Sequence, residues 1–232
     1  MAATTNTLVQ LRDQVYLDAG IKNDPNFPPA RVNRIINLAQ KYVQTMLNGL
    51  GFKKFEKSVS IGTPSAGFHG ATAIKTFPVS TLEDMLESPS SILMIETSDG
   101  STKGIARPID PNVFEEQISN TYLAPSLAKG VFTRLSGNIL LSPATITQGT
   151  AHYYKNIAEL SSDYDTSEIP VEFIEFVIKK AVLDINESLG KLQNTAKATQ
   201  DLENRLSEVY QKFHGKQQEQ NRNKANDSAK LQ

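Results

Sequence analysis

A chain of 232 residues with 39% hydrophobic and 21% charged side chains can bury a core without covalent staples, which excludes wholesale disorder. Its 24 basic and 25 acidic residues leave a net charge of -1, unlike domains built to grip bare phosphate backbone, which carry a marked basic excess. With no cysteine, disulfide frameworks, thiolate nucleophiles, iron–sulfur clusters and cysteine zinc sites are excluded together.

Residues 1–10 have neither a basic start nor an apolar run, and the longest apolar stretch, Ile92 to Ile95, is far too short to cross a bilayer. The chain is therefore expected to be soluble, unsecreted and without a membrane partner. Its charge is segregated along the sequence: net +4 over residues 1–57, -2 over 58–155, -6 over 156–210 and +3 over 211–232.

The first block predicts two helices. Thr7 followed by Gln10 forms a capping-box signature, and Leu8, Leu11, Val15 and Ala19 recur on one face until Gly20. Pro28 and Pro29 suit a first helical turn, and Val32, Ile35, Ile36, Ala39, Val43, Met46, Leu47 and Leu50 trace a broad apolar stripe that Gly49 and Gly51 end. From residue 58 the helical period gives way to Gly, Pro, Ser and Thr with short β-rich runs at Ser58 to Ile61, Ala73 to Val79, Ser91 to Thr97 and Val131 to Leu135. Ser136, Gly137 and Asn138 separate two apolar runs as a hairpin turn would, and Thr147 to Lys155 is expected to pair with that hairpin. Asp110 and Pro111 predict one short helix from Val113 to Ile118.

Ile169 and Pro170 open a third long helix, in which Phe173, Ile174, Val177, Ala181, Ile185 and Leu189 keep the 3 and 4 spacing up to Gly190. A narrower stripe, Ala198, Leu202, Leu206, Val209 and Phe213, predicts a fourth helix ending at Gly215. The expected fold is α+β: an antiparallel bundle of four main helices (1–57 and 156–215) with a β-rich insertion (58–155) between the second and third. Ile35, Phe173, Val177 and Leu206 are expected in the bundle core. The polar tail 216–232 has too little apolar area to order itself and is expected to be held by a partner.

No constellation of catalytic or ligand-binding residues forms on the sequence. Gly62-Thr63-Pro64-Ser65-Ala66-Gly67 has the glycine spacing of a phosphate loop, but Phe68 and His69 stand where Lys and Ser or Thr are needed. Asp163-Tyr164-Asp165 begins like a calcium loop, yet Glu168 replaces its turn glycine and Ile174 its bidentate glutamate, so a segment capping the next helix is the better reading. His69, His152 and His214 lack metal-site spacing, and Tyr153 and Tyr154 should point to opposite faces of a strand. Glu115 with Glu116, and Asp163 with Asp165, stay open as acid pairs because the separation that matters is one in space. No catalytic, cofactor or metal residue is assigned.

The order of the blocks resembles the head-to-tail adaptor (connector) proteins of tailed bacteriophages. The resemblance spans residues 7–213 and rests on the Leu8 to Val15 helix, Arg34-Ile35-Ile36-Asn37-Leu38-Ala39, and Gly137-Asn138-Ile139-Leu140-Leu141-Ser142-Pro143. It continues through the Tyr153-Tyr154 strand, Asp163-Tyr164-Asp165-Thr166 and Ile169-Pro170. It implies a structural, non-enzymatic protein assembled as a homo-oligomeric ring, a dodecamer, in the virion neck, joining portal to tail around a channel for genomic DNA, with assembly in the host cytoplasm. No cofactor follows from it. In the tail, Lys216, Arg222, Lys224 and Lys230 are the expected partner-binding residues, facing only Glu219 and Asp227 in sign. Two rival readings are a virion-associated cell-wall hydrolase using an acid pair, and a DNA-binding module.

Overall fold

The computed structural model describes residues 6–70, 72–86, 91–120, 122–191 and 194–229, with 216–229 as backbone alone. The chain forms two compact units: one is Lys53–Asn156, and the other combines the chain up to Phe52 with the chain from Ile157 onward.

The helical unit contains α1 (Leu8–Ala19), α2 (Pro29–Gly49), α4 (Val171–Ser188) and α5 (Thr195–Ala229), while α3 (Pro111–Ser119) belongs to the β unit. Helix α4 lies against α1, α2 and α5, which explains why its apolar positions are too many for one stripe: Phe173, Ile174, Phe176, Val177, Ala181 and Ile185 are all buried. Leu8, Leu11 and Val15 of α1, Val32, Ile36, Ala39, Val43 and Leu47 of α2, and Leu202, Leu206 and Tyr210 of α5 supply the facing surfaces. Ile35, expected in this core, is only half-buried; its neighbour Ile36 takes the buried position. Phe52 packs edge-on against Phe173, with centroids 5.8 Å apart, and against Tyr210 at 6.2 Å, while Phe173 meets Phe213 at 5.5 Å. Such ring pairs add directional stabilisation to plain area burial.

The stop expected at Gly215 is absent. Helix α5 runs through it for 35 residues, a length of roughly 52 Å at 1.5 Å per residue. One glycine costs a helix about 1 kcal/mol, which a flank rich in Lys, Gln and Glu sustains.

The β unit overturns the expectation of a four-helix bundle with a β insertion: the described residues form five α-helices and an eight-stranded curled mixed sheet with a core of its own. The strands are β1 (Glu56–Gly62), β2 (Ser65–His69), β3 (Thr72–Pro78), β4 (Ile92–Ser98), β5 (Lys103–Pro108), β6 (Lys129–Leu135), β7 (Asn138–Ser142) and β8 (Gln148–Tyr154), in the spatial order β1-β8-β4-β5-β6-β7-β3-β2. The β5–β6 pair is parallel and the others antiparallel. A flat sheet of eight strands would hold its edges roughly 33 Å apart at about 4.8 Å per strand. Here the edge strands β1 and β2 are joined through Thr63 and Pro64 alone, a link that reaches at most about 11 Å. The sheet must therefore curl until its edges approach at that corner.

The face turned inside the curl carries one apolar cluster fed by seven of the eight strands, including Ile61, Phe77, Ile92, Ile95, Ala106, Phe132, Ile139, Leu141, Ala151 and Tyr153. A bulge between Ile92 and Met94 places Ile92 and Ile95 on that same face despite their odd spacing. Tyr153 is fully buried and donates through its hydroxyl to the Glu83 carbonyl at 2.9 Å, and burial pushes its pKa up. Tyr154 is buried too, on the opposite face, so neither ring is the outward one expected. The hairpin around Ser136 and Gly137 forms as β6 and β7, but β8 pairs with β1 and β4 instead of with it. On the outer face, Phe114 and Ile118 of α3 cover Ile74 and Leu140, with Asp110 capping the helix by accepting from the Asn112 N–H at 2.9 Å.

Val177 sits at 0% exposure in the helical core. Val177→Asp is expected to bury an unpaired carboxylate at a cost of about 3–5 kcal/mol, lowering Tm by roughly 10 °C or removing the cooperative transition. A variant melting like the wild type in a thermal scan would contradict this packing.

Candidate interaction surfaces

Of the candidate acids, Asp163 and Asp165 are engaged structurally. Asp163 pairs with Arg12 at 2.8 Å, and Arg12 also donates to Asn33 at 3.2 Å. Asp165 accepts from the N–H groups of Ser161 and Ser162, at 2.7 and 2.8 Å, and from the Ser161 hydroxyl at 3.1 Å, which holds its carboxyl below the usual range. Asp165 is thus held in its charged form, the opposite of a general acid, whose pKa must be raised. Glu115 and Glu116 are exposed on α3, and His69 lies beside Glu115 at 4.0 Å and edge-on to Phe114. Among the described residues no group of His, Asp and Glu is placed to hold a metal ion. His152 bridges neighbouring strands, with Nδ1 2.8 Å from the Ser58 hydroxyl and Nε2 3.3 Å from Glu96 Oε1. The Gly62 to Gly67 stretch is the end of β1, the Thr63-Pro64 link and the start of β2.

Two surfaces stand out instead. On the outer face of the curled sheet a trough of about 1480 Å³ runs over β1, β8, β4, β5 and β6, walled by α3 and by the segment from Leu123 to Ala128. Gly104 is required where that segment crosses β5, since a Cβ there would lie 1.8 Å from the Leu127 carbonyl oxygen. The cations Lys103, Arg107 and Lys129 line the trough, and none has an ion-pair partner among the described residues. Glu96, held beside His152, is the acid in the lining. Ile105 and Leu123 add apolar surface there, at 42% and 50% exposure.

The second surface lies in the helical unit, before and along the start of α4. The carbonyls of Asp165 and Asp163 accept the first free N–H groups of α1, from Leu8 at 2.9 Å and Val9 at 3.2 Å, while Thr7 bridges Thr166. Between these fixed residues Tyr164 projects with 85% exposure, and Val171 follows at 52%. Glu172 and Glu175 are exposed beyond it on α4, where Lys179 pairs with Glu175 and lowers its pKa. The Asp163 to Glu168 motif therefore does cap a helix, but the helix is α1, reached across the fold, as well as leading into α4.

Of the expected partner-binding residues, Lys216, Arg222 and Lys224 fall within α5, spread over about 12 Å of its axis. Lys230 lies outside the described residues. The trough cations escaped the sequence reading because they are brought together from β5 and β6, two strands more than twenty residues apart that pair in parallel.

Because the folded pKa of Asp165 lies below its unfolded value near 3.9, the turn contributes fully above that pH and its contribution is lost as pH falls through the folded value. Asp165→Asn is expected to destabilise the chain at neutral pH and to flatten the acid limb of a Tm-against-pH curve below about pH 4; an unchanged acid limb would contradict the assignment.

No curated protein matches the chain. The model of the SU10 adaptor protein family matches residues 6–229, which takes in both units and the full described length of α5. The model matched is that of an adaptor, and the charged surfaces and structurally engaged carboxylates fit a protein that works through contacts with others. The chain thus belongs to the SU10 adaptor protein family, structural adaptor proteins of bacteriophages.

Proposed function

We propose that this chain is a subunit of a ring in the phage neck, a dodecamer that joins the portal to the tail and leaves a channel through which genomic DNA passes. The observation that carries this reading is the family match over residues 6–229: the adaptor assignment applies to the whole architecture and not to one module of it. Residues 156–210 carry net -6 and the trough carries three cations, an asymmetry suited to the head-to-tail contacts from which a closed ring is built. The ring is assembled in the host cytoplasm and sits in the virion, and the described chain has no helix long and apolar enough to span a membrane.

Within this reading the end of α5 attaches to the portal, with Lys216, Arg222, Lys224 and Lys230 as its cationic contacts. Incubation with portal particles followed by negative-stain imaging should show capped portals. Deleting residues 216–232 should leave the subunit's Tm within about 2 °C and weaken capping by tenfold or more. Full capping by the truncated chain would move the attachment to another surface.

A channel that passes DNA must not grip it. Duplex affinity is expected to be weaker than about 10 µM and to vanish near physiological salt. Nanomolar binding at about 150 mM salt would favour a DNA-binding module instead.

A further inference from the structure

We infer that the trough on the β unit of one subunit receives the Tyr164 turn and the acidic start of α4 of a second copy, and that this contact links neighbours. The inference rests on the ring reading above and supplies the pair of surfaces it needs. Each half is incomplete alone. The trough offers Lys103, Arg107 and Lys129, without ion-pair partners among the described residues, around half-exposed Ile105 and Leu123, with room for several side chains in about 1480 Å³. The turn offers the complement, an 85% exposed tyrosine and a half-exposed Val171 followed by Glu172 and Glu175. An apolar centre with an aromatic anchor, ringed by opposite charges, is the usual anatomy of a specific interface. Because the two surfaces differ, the contact is heterologous, and repetition of it generates a ring or a filament where a two-fold contact would stop at a dimer.

The absence of cysteine makes the test direct. Thr166→Cys and Ala124→Cys each replace an exposed side chain beside the contact and leave Tyr164 and Leu123 in place, so neither variant should disturb folding or remove an anchor. Mixed and treated with a short bismaleimide, the two chains should give a cross-linked heterodimer at least tenfold in excess over either chain treated alone. Adding Lys103→Glu and Lys129→Glu to the Ala124→Cys chain should reduce that yield about tenfold, and Glu172→Lys with Glu175→Lys in its partner should restore it. Sedimentation of the wild-type chain, run in parallel, separates the two ways of failing. If the chain forms oligomers but the heterodimer is no more abundant than the single-variant products, or charge reversal leaves the yield unchanged, the ring stands and this contact falls. If the wild type stays monomeric at every concentration and no heterodimer forms, the ring reading and this contact fall together.

Discussion

The helical unit depends on how a chain that leaves it at Phe52 is held when it comes back at Ile157. The returning segment has no strand or helix to satisfy its backbone, and α2 does that work with side chains. Gln44 accepts from the Ile157 N–H at 3.3 Å, and Asn37 accepts from the Leu160 N–H at 3.0 Å while donating to its carbonyl at 3.1 Å. Lys41 pairs with Glu159 at 2.6 Å, and Gln40, buried at 1% exposure, accepts from the Ser167 hydroxyl at 2.5 Å. Asn37, Gln40, Lys41 and Gln44 lie at 3 and 4 spacing, so one stripe of α2 reads the returning chain as a neighbouring strand would. Buried polar groups left without such partners cost more than the bonds add when made, so this stripe fixes the path of the return and not merely its proximity.

The path of the return dictates the placement of α4. Once residues 157–167 are fastened along α2 and residues 163–165 cap α1, Ile169 and Pro170 can direct the chain only into the space that α1 and α2 leave open. The helix entering it must be apolar on several sides, as α4 is, and α5 closes the remaining face with Leu202, Leu206 and Tyr210. The β unit is organised by a different constraint, closure. Its first two strands are linked by two residues yet occupy opposite edges, so the order of pairing is decided by the late strand β8 inserting between β1 and β4.

That difference explains what was legible in the sequence. The helices show because their information is local: Thr7 and Gln10, Pro28 and Pro29, and Ile169 and Pro170 mark starts, and the 3 and 4 spacing of Val32 to Leu47 or Phe173 to Ile185 marks faces. The sheet shows only as separate runs. Strands β2 and β5 have no alternating apolar pattern to betray them, and nothing near Thr147 says that β8 will bypass the adjacent hairpin for partners 50 to 100 residues away. With pairing hidden, the number of strands and their closure into one curled sheet were hidden as well, although the extent of the β unit, expected over 58–155 and found over Lys53–Asn156, was legible. The trough suffered the same fate, since Arg107 and Lys129 are ordinary surface charges until β5 and β6 pair. By contrast the Asp163-Tyr164-Asp165 motif was visible, and only its addressee, α1, lay beyond the reach of local reasoning.

The exposure of Tyr164 is imposed by its neighbours. Asp163 and Asp165 each have a carbonyl engaged by the N-terminus of α1, the Asp163 carboxylate is held by Arg12, and the Asp165 carboxylate closes the turn over Ser161 and Ser162. With both flanks fixed by backbone and side chain, the residue between them has no inward route and its ring stands in solvent. An aromatic side chain displayed on so constrained a turn has little backbone freedom left to lose when it is covered, which is the largest entropic obstacle to association that a loop presents. The same bonds that close the helical unit therefore prepare its most exposed ring for contact, so in this chain folding and surface presentation are one set of interactions.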